Sequence, residues 1–209
     1  MTETNMKRQM KNLAIMMCGW MLALGVQAQT ATQVLDRASN AYKKMASVSA
    51  EFEIGISGEK DKGSILLQGN KFCTKMHDSS IWFDGKTMWT YVHDNEEVNV
   101  TEPTEAQVSR INPYSFINMY KRGYDVAFGA NSSTYYDIVL TARDGKASIQ
   151  KAILWIKKTD YSPIYIMMGT SRADVEISVI SYKAGKKQPD TAFRFDKKKY
   201  PKVDVVDLR

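Results

Sequence analysis

The chain has 209 residues, 44% of them hydrophobic and 25% charged, which is long enough to bury a sizeable core and too apolar for a disordered segment. Its net charge of +6 drops to +4 if residues 1–28 are removed, because Lys7, Arg8, Lys11 and Glu3 leave with them. That balance is mild and reads as a solvated basic surface, and with Cys73 then the only cysteine an internal disulfide is excluded.

Residues 1–28 read as a secretory signal peptide. Lys7, Arg8 and Lys11 form its positive region, 13–26 its apolar stretch, and Val26-Gln27-Ala28 a small-x-small cleavage site. The stretch is short for a membrane span. Residues 29–209 are then one mature domain. Cys18 lies inside the apolar stretch, where no lipoprotein cleavage box is evident, and is discarded with it.

Thr30 to Met45 is expected to be a helix, with Val34, Ala38, Ala41 and Met45 at helical spacing and Thr30-x-x-Gln33 as a capping box. From Val48 the period becomes two: Ala50, Phe52, Ile54 and Ile56 alternate with polar residues. A polar turn is expected over 58–63, then strands at 64–68 and 71–76. The stretch from Ser80 to Val92 holds two aromatic-rich runs on either side of Asp84-Gly85-Lys86, a hairpin signal. Glu97 to Thr101 returns as a strand.

Between Glu102 and Gly123 the strands are interrupted. Asn112-Pro113 opens a short helix whose Tyr114, Phe116, Ile117, Met119 and Tyr120 leave no wide polar face. It reads as a plug or lid over the sheet, and Glu105 to Ser109 as another helical turn. Strands resume at 124–128, 135–142, 149–157, 164–168 and 175–182, and the tail from Phe193 to Asp207 is extended and strapped to the sheet. The expected fold is mainly β: a single curved antiparallel sheet of roughly ten or eleven strands, an incomplete barrel covered by two or three lid helices.

Catalytic and metal-binding signals are weak. His77 and His93 lack ligands at metal spacing, and no nucleophile elbow, phosphate loop or dinucleotide fingerprint occurs. Asp84 fits a turn role better than a catalytic one. Lys197-Lys198-Lys199 reads as a solvated run and not as a nucleic-acid surface. Cys73, on a strand, is expected to be buried and inert. No cofactor, metal or catalytic residue is expected. What remains is an excess of large soft side chains on strands and lid, which either fill a core or line an apolar pocket.

The order of these features resembles the LolA family of periplasmic lipoprotein carriers. The match rests on Val34-Leu35-Asp36 with Tyr42, Phe52, the strand after Gly63, Asn70-x-Phe72, Asp84-Gly85-Lys86-x-x-Trp89-x-Tyr91, Asn112-Pro113, and the closing Phe195 and Pro201-x-Val203-x-Val205. The resemblance implies a half-barrel with helices over an apolar cavity and a periplasmic carrier or chaperone that ferries acylated lipoproteins. Its implied partners are those lipoproteins, an inner-membrane lipoprotein-releasing transporter and an outer-membrane acceptor; nucleic acid is not among them, and a monomer is expected. The acyl chains are expected at Phe52, Phe72, Met76, Trp82, Met88, Trp89, Tyr91, Tyr114, Ile117 and Met119, with Leu35, Tyr42, Phe116 and Tyr120 in the lid. Family carriers often lock the lid with an arginine; here that position falls at Gln68-Gly69-Asn70, with no arginine. A periplasmic lipid or lipoprotein sensor is the alternative, and a lipid or glycan hydrolase a more distant one.

Overall fold

The computed structural model describes residues 29–105, 107–108, 112, 120–170 and 173–209. Among these residues are one complete α-helix, α1 (Ala31–Lys43), and twelve strands in one sheet. In chain order these are β1 (Ser47–Ile56), β2 (Glu59–Gln68), β3 (Lys71–Lys75), β4 (Ser79–Phe83), β5 (Met88–Val92), β6 (Glu97–Thr101), β7 (Tyr124–Phe128), β8 (Tyr135–Ala142), β9 (Ile149–Lys157), β10 (Pro163–Thr170), β11 (Asp174–Gly185) and β12 (Asp204–Asp207). Across the sheet the order is β12-β6-β5-β4-β3-β2-β1-β11-β10-β9-β8-β7. A cover of several helices is not supported: among the described residues α1 is the one complete α-helix, beside helical Glu105, Gln107 and Val108 in the expected turn and a 3-10 turn at Asp190–Phe193, and the helix expected after Pro113 lies outside the described residues up to Tyr120.

α1 begins at the expected capping box. The Gln33 amide donates to Thr30 Oγ1 at 3.1 Å and the Thr30 amide to Gln33 Oε1 at 3.0 Å, so two amides that the first turn leaves bare are satisfied. Val34 and Leu35 are fully buried. One apolar cluster joins them to Phe83 and Met88 in one half of the sheet and to Leu140 and Ala152 in the other. Strands so far apart in the order share a core because the sheet curves around the helix. We call the face that meets α1 the inner face.

Two local expectations change. The polar turn is Ser57 and Gly58 alone, at φ 52° and 88°, a pair of positive φ values suited to the twist of a tight hairpin. Glu59 to Gly63 is strand, paired with β1 from Ile56↔Glu59 to Phe52↔Gly63. Its polar side chains hide the alternation that marks a strand. The sheet is also not wholly antiparallel. β12 lies parallel to β6, because residues 190–203 cross the outer face before the chain enters the edge. The cover is pinned through Asp84 in the β4–β5 turn, whose carboxylate accepts the amides of Lys86 and Thr87 and the Arg194 guanidinium at 2.9 Å. Burial alone would raise the Asp84 carboxyl; the two amides and Arg194 outweigh it and hold it below the ordinary range.

Candidate functional site

The inner wall follows from strand register. Val48, Ala50, Phe52, Ile54 and Ile56 of β1 face inward, opposite Ile65 and Gly63 of β2 on one side. On the other side, Ile54 pairs with Ile177 and Ile56 with Val175. Those two meet Ile166 and Met168 of β10, which meet Leu154 and Ala152 of β9, which meet Ile138 and Leu140 of β8. β11 carries an extra residue opposite Glu51/Phe52; this bulge keeps Val179, Ile177 and Val175 on the inner side.

The helix seals only part of this wall. Leu35, Leu67, Phe72, Ile138, Leu154 and Ile156 are buried to 1% exposure or less. Toward the other end, Ile54, Met76, Val175 and Ile177 are half-buried and Ile56 is 45% exposed. The half-open end is therefore a contiguous aliphatic band with a methionine beside it. Thr74, which lies between Phe72 and Met76 on β3, is 7% exposed, and its hydroxyl has no hydrogen-bond partner. A separate open depression of 710 Å³ over β1–β3 lies mainly on the outer face, lined by Glu51, Glu53, Lys62, Ser64, Lys75 and Ile180, with Phe52, Gly63 and Met76 at its border. Gly63 is required there: a Cβ would lie 2.6 Å from the Phe52 ring.

α1 is tied down at its middle and at its C-terminal end. Arg37 Nη1 donates to Tyr161 Oη at 2.8 Å, and Tyr42 Oη donates to the Gly69 carbonyl at 2.8 Å. Burial pushes the Tyr42 phenol up to about 12. Midway, Tyr120 Oη donates to the Asp36 carboxylate. Burial, then that bond and charge, raise the Tyr120 phenol. Gln68 accepts the Gln188 amide at 2.7 Å and donates to its carbonyl at 3.2 Å. The Gly69 carbonyl of the same turn holds the helix through Tyr42.

The residues expected at the site divide between the two faces. Phe52, Phe72, Met76 and Met88 lie on the inner wall, and Leu35, Tyr42 and Tyr120 pack with it. Trp82, Trp89 and Tyr91 lie on the outer face, packed with Phe193, Phe195, Tyr200 and Val203 of the cover. Trp82 and Trp89 are direct register partners, and the Trp82 ring meets Phe195 at 5.6 Å and Tyr200 at 5.9 Å. Tyr114, Phe116, Ile117 and Met119 lie outside the described residues. Cys73 sits beside Trp82, and burial raises its thiol. His93 ties the β4–β5 hairpin together between Ser80 Oγ at 3.1 Å and the His77 carbonyl at 2.9 Å. Sequence reasoning passed over Ile54, Ile56, Val175 and Ile177 as site residues. The signal was there in the alternation of Val175, Ile177 and Val179 with Glu176 and Ser178, but the face it belonged to depends on pairing with β1.

A family model described as outer membrane lipoprotein carrier protein LolA matches residues 22–172. Among solved structures, an uncharacterized conserved protein from Thermus thermophilus is similar at a TM-score of 0.58 and 12% identity, covering 85% of this chain and 98% of that one, which shows a common fold. Lower TM-scores relate the chain to a LolA superfamily protein, NE2245 from Nitrosomonas europaea, at 0.43 and 15% identity, covering 80% of this chain and 99% of that one. The MucA/MucB complex of Pseudomonas aeruginosa matches at 0.45 and 13% identity, covering 84% of this chain and 63% of that one. No curated protein sequence matches the chain. No helix among the described residues is long and apolar enough to cross a membrane.

Proposed function

Because this chain belongs to the LolA family of outer membrane lipoprotein carrier proteins, we propose that it is a periplasmic carrier whose half-open inner wall shields the acyl chains of lipoproteins from water. One observation carries the reading: the aliphatic band of Ile54, Ile56, Val175 and Ile177 stays partly in solvent while Leu35, Leu67, Phe72, Ile138, Leu154 and Ile156 of the same inner core are buried. Hydrocarbon in water costs about 0.8 kcal/mol per CH₂, so a sixteen-carbon chain costs on the order of 12 kcal/mol. A carrier must recover much of that and still release its cargo. A wall of adaptable aliphatic and methionine side chains, with Asp61 and Glu59 of β2 beside Ile54 and Ile56 at its rim, meets that demand. The Thr74 hydroxyl supplies a buried donor for an ester or amide carbonyl at the head of an acyl chain.

Donor and acceptor membranes follow from the same reading, as does secretion with loss of residues 1–28. In this assignment Phe52, Phe72, Met76 and Met88 support the binding wall, while Trp82, Trp89 and Tyr91 hold the outer cover and do not touch cargo. Placing a carboxylate on the open band tests it. Ile54→Glu and Ile177→Glu should each reduce binding of a fluorescent palmitoylated peptide more than tenfold while circular dichroism stays that of the folded protein. Native mass spectrometry should find acyl species on the protein isolated from cells and lose them in both variants. Normal binding by both would overturn the pocket assignment.

A further inference from the structure

The outer face carries a second feature, which acyl-chain binding does not use. Residues 183–202 contain eight basic residues and two acidic ones, Asp190 and Asp196, a net +6. That equals the formal charge of the whole chain, so the remainder of the sequence is balanced. All eight basic residues are exposed. Arg194 is committed to Asp84, and Lys197 donates to the Val203 carbonyl. Among the described residues, Lys183, Lys186, Lys187, Lys198, Lys199 and Lys202 have no carboxylate within ion-pair distance. A charge run in a tail would normally be no more than solvated. Here the fold lays it across one face of the sheet.

Lys183 at the end of β11, Arg194 and Lys199 of the cover, and Lys75 of β3 line one 480 Å³ depression on the outer face. Ser49, Ser64 and Ser181 add hydroxyls to it, and Glu51 and Asp196 are its acidic members. Past Val203 the chain enters the edge strand β12, where Val205 on the outer side is 48% exposed and Leu208 beyond it 60%, with Asp204 exposed beside them and Asp207 held by Arg209. Unpaired cations beside exposed aliphatic side chains form the pattern that holds a protein on an anionic lipid surface, where charge attracts and a few apolar groups enter the headgroup layer. A single-stranded nucleic acid would need exposed aromatic faces among the cations. The aromatic rings of this region, Trp82, Phe195 and Tyr200, are occupied with one another.

We propose that the C-terminal cover, residues 183–202 with Val205 to Leu208, docks this protein on membrane surfaces rich in anionic phospholipid headgroups. Because the cover lies on the opposite side of the sheet from Ile54 and Ile177, docking leaves the inner wall accessible. The proposal stands whether or not the inner wall carries acyl chains, and its test uses no acylated cargo.

Vesicle flotation provides that test, comparing mixed phosphatidylglycerol and phosphatidylcholine vesicles with phosphatidylcholine alone. The purified protein should partition at least tenfold more strongly onto the anionic vesicles, and added salt should remove the difference. A lysine near an anionic surface contributes about fivefold, so the triple variant Lys198→Glu, Lys199→Glu, Lys202→Glu should lose on the order of a hundredfold. A control with the same change of net charge away from the cover, Lys43→Glu, Lys121→Glu, Lys146→Glu, should lose far less, and circular dichroism should show both variants folded. Equal partition onto neutral and anionic vesicles would overturn the proposal. So would an unaffected first variant, or equal losses in the two.

Discussion

On the outer face, the row Leu66, Cys73, Trp82, Trp89 and Val100 runs through register across β2 to β6 and is roofed by Phe193, Phe195, Tyr200 and Val203 of the same chain. On the inner face, α1 roofs Leu67, Phe72, Ile138 and Leu154 but leaves Ile54, Ile56, Val175 and Ile177 partly in solvent. Over β2 to β6 the outer face is roofed by residues of the same chain, whereas the inner wall at Ile54, Ile56, Val175 and Ile177 is not, among the described residues. Aromatic rings that interlock with a cover are structural. Aliphatic side chains left half-wet on a curved wall are where a guest gains most by binding. The difference separates two tryptophans that look functional in the sequence from four β-branched residues that do not.

Substitutions can break or sharpen this contrast. The largest effect is expected at Phe193, which is fully buried in the outer cover. Phe193→Ala should cost about 3–5 kcal/mol, read as a lowered urea midpoint. Acyl binding per folded molecule should stay unchanged, and a binding defect without a stability loss would contradict the division of faces. Next comes Thr74, whose hydroxyl is buried without a partner on the inner wall. Thr74→Val should stabilise the free protein by about 1 kcal/mol, because an unpaired buried group is removed. The same variant should weaken binding of a glyceryl-ester ligand relative to a plain fatty acid of equal length. A loss of stability in its place would mean that the hydroxyl already has a use in the free fold.

The smallest effect is expected at the tie between Asp84 and the cover. The Asp84 carboxyl is held below its ordinary value, so it binds protons less well in the folded state than in the unfolded one. Its contribution is then fully present above the ordinary Asp pKa of about 3.9 and is lost as pH falls through the lower folded value. Arg194 is 56% exposed, so solvent screens the pair, and Asp84→Asn should cost about 1 kcal/mol or less at neutral pH. The variant should also flatten the acid limb of the pH–stability profile, measured by urea titration from neutral pH down to about pH 3.

Much of the fold was legible. Thr30-x-x-Gln33 with the Val34, Leu35, Ala38 stripe specified α1, and the alternation from Ala50 to Ile56 specified β1. The hairpins were marked where the chain needs positive φ, at Gly58, Gly69 and Gly85. Glu59 to Gly63 was not legible as strand, since a segment without apolar alternation reads as a turn until its partner is known. The site was half legible. Phe52, Phe72, Met76 and Met88 were picked out as large soft side chains on strands and lie on the inner wall. Trp82 and Trp89 were picked out on the same grounds and lie on the other face.

Local sequence thus settled α1 and most of the described strands, because capping, turn chemistry and hydrophobic period act within a few residues of one another. It could not settle which apolar face is inside. β4 and β5 are apolar on both sides, so their period carries no label for inner and outer, and a one-residue change of register would exchange the two. That choice rests on contacts made across more than a hundred residues: Trp82 with Phe195 and Tyr200, Arg194 with Asp84, and Ile54 with Ile177 past the β11 bulge. The same long-range folding brings Lys183, Arg194 and Lys199 together with Lys75 around one depression of the outer face.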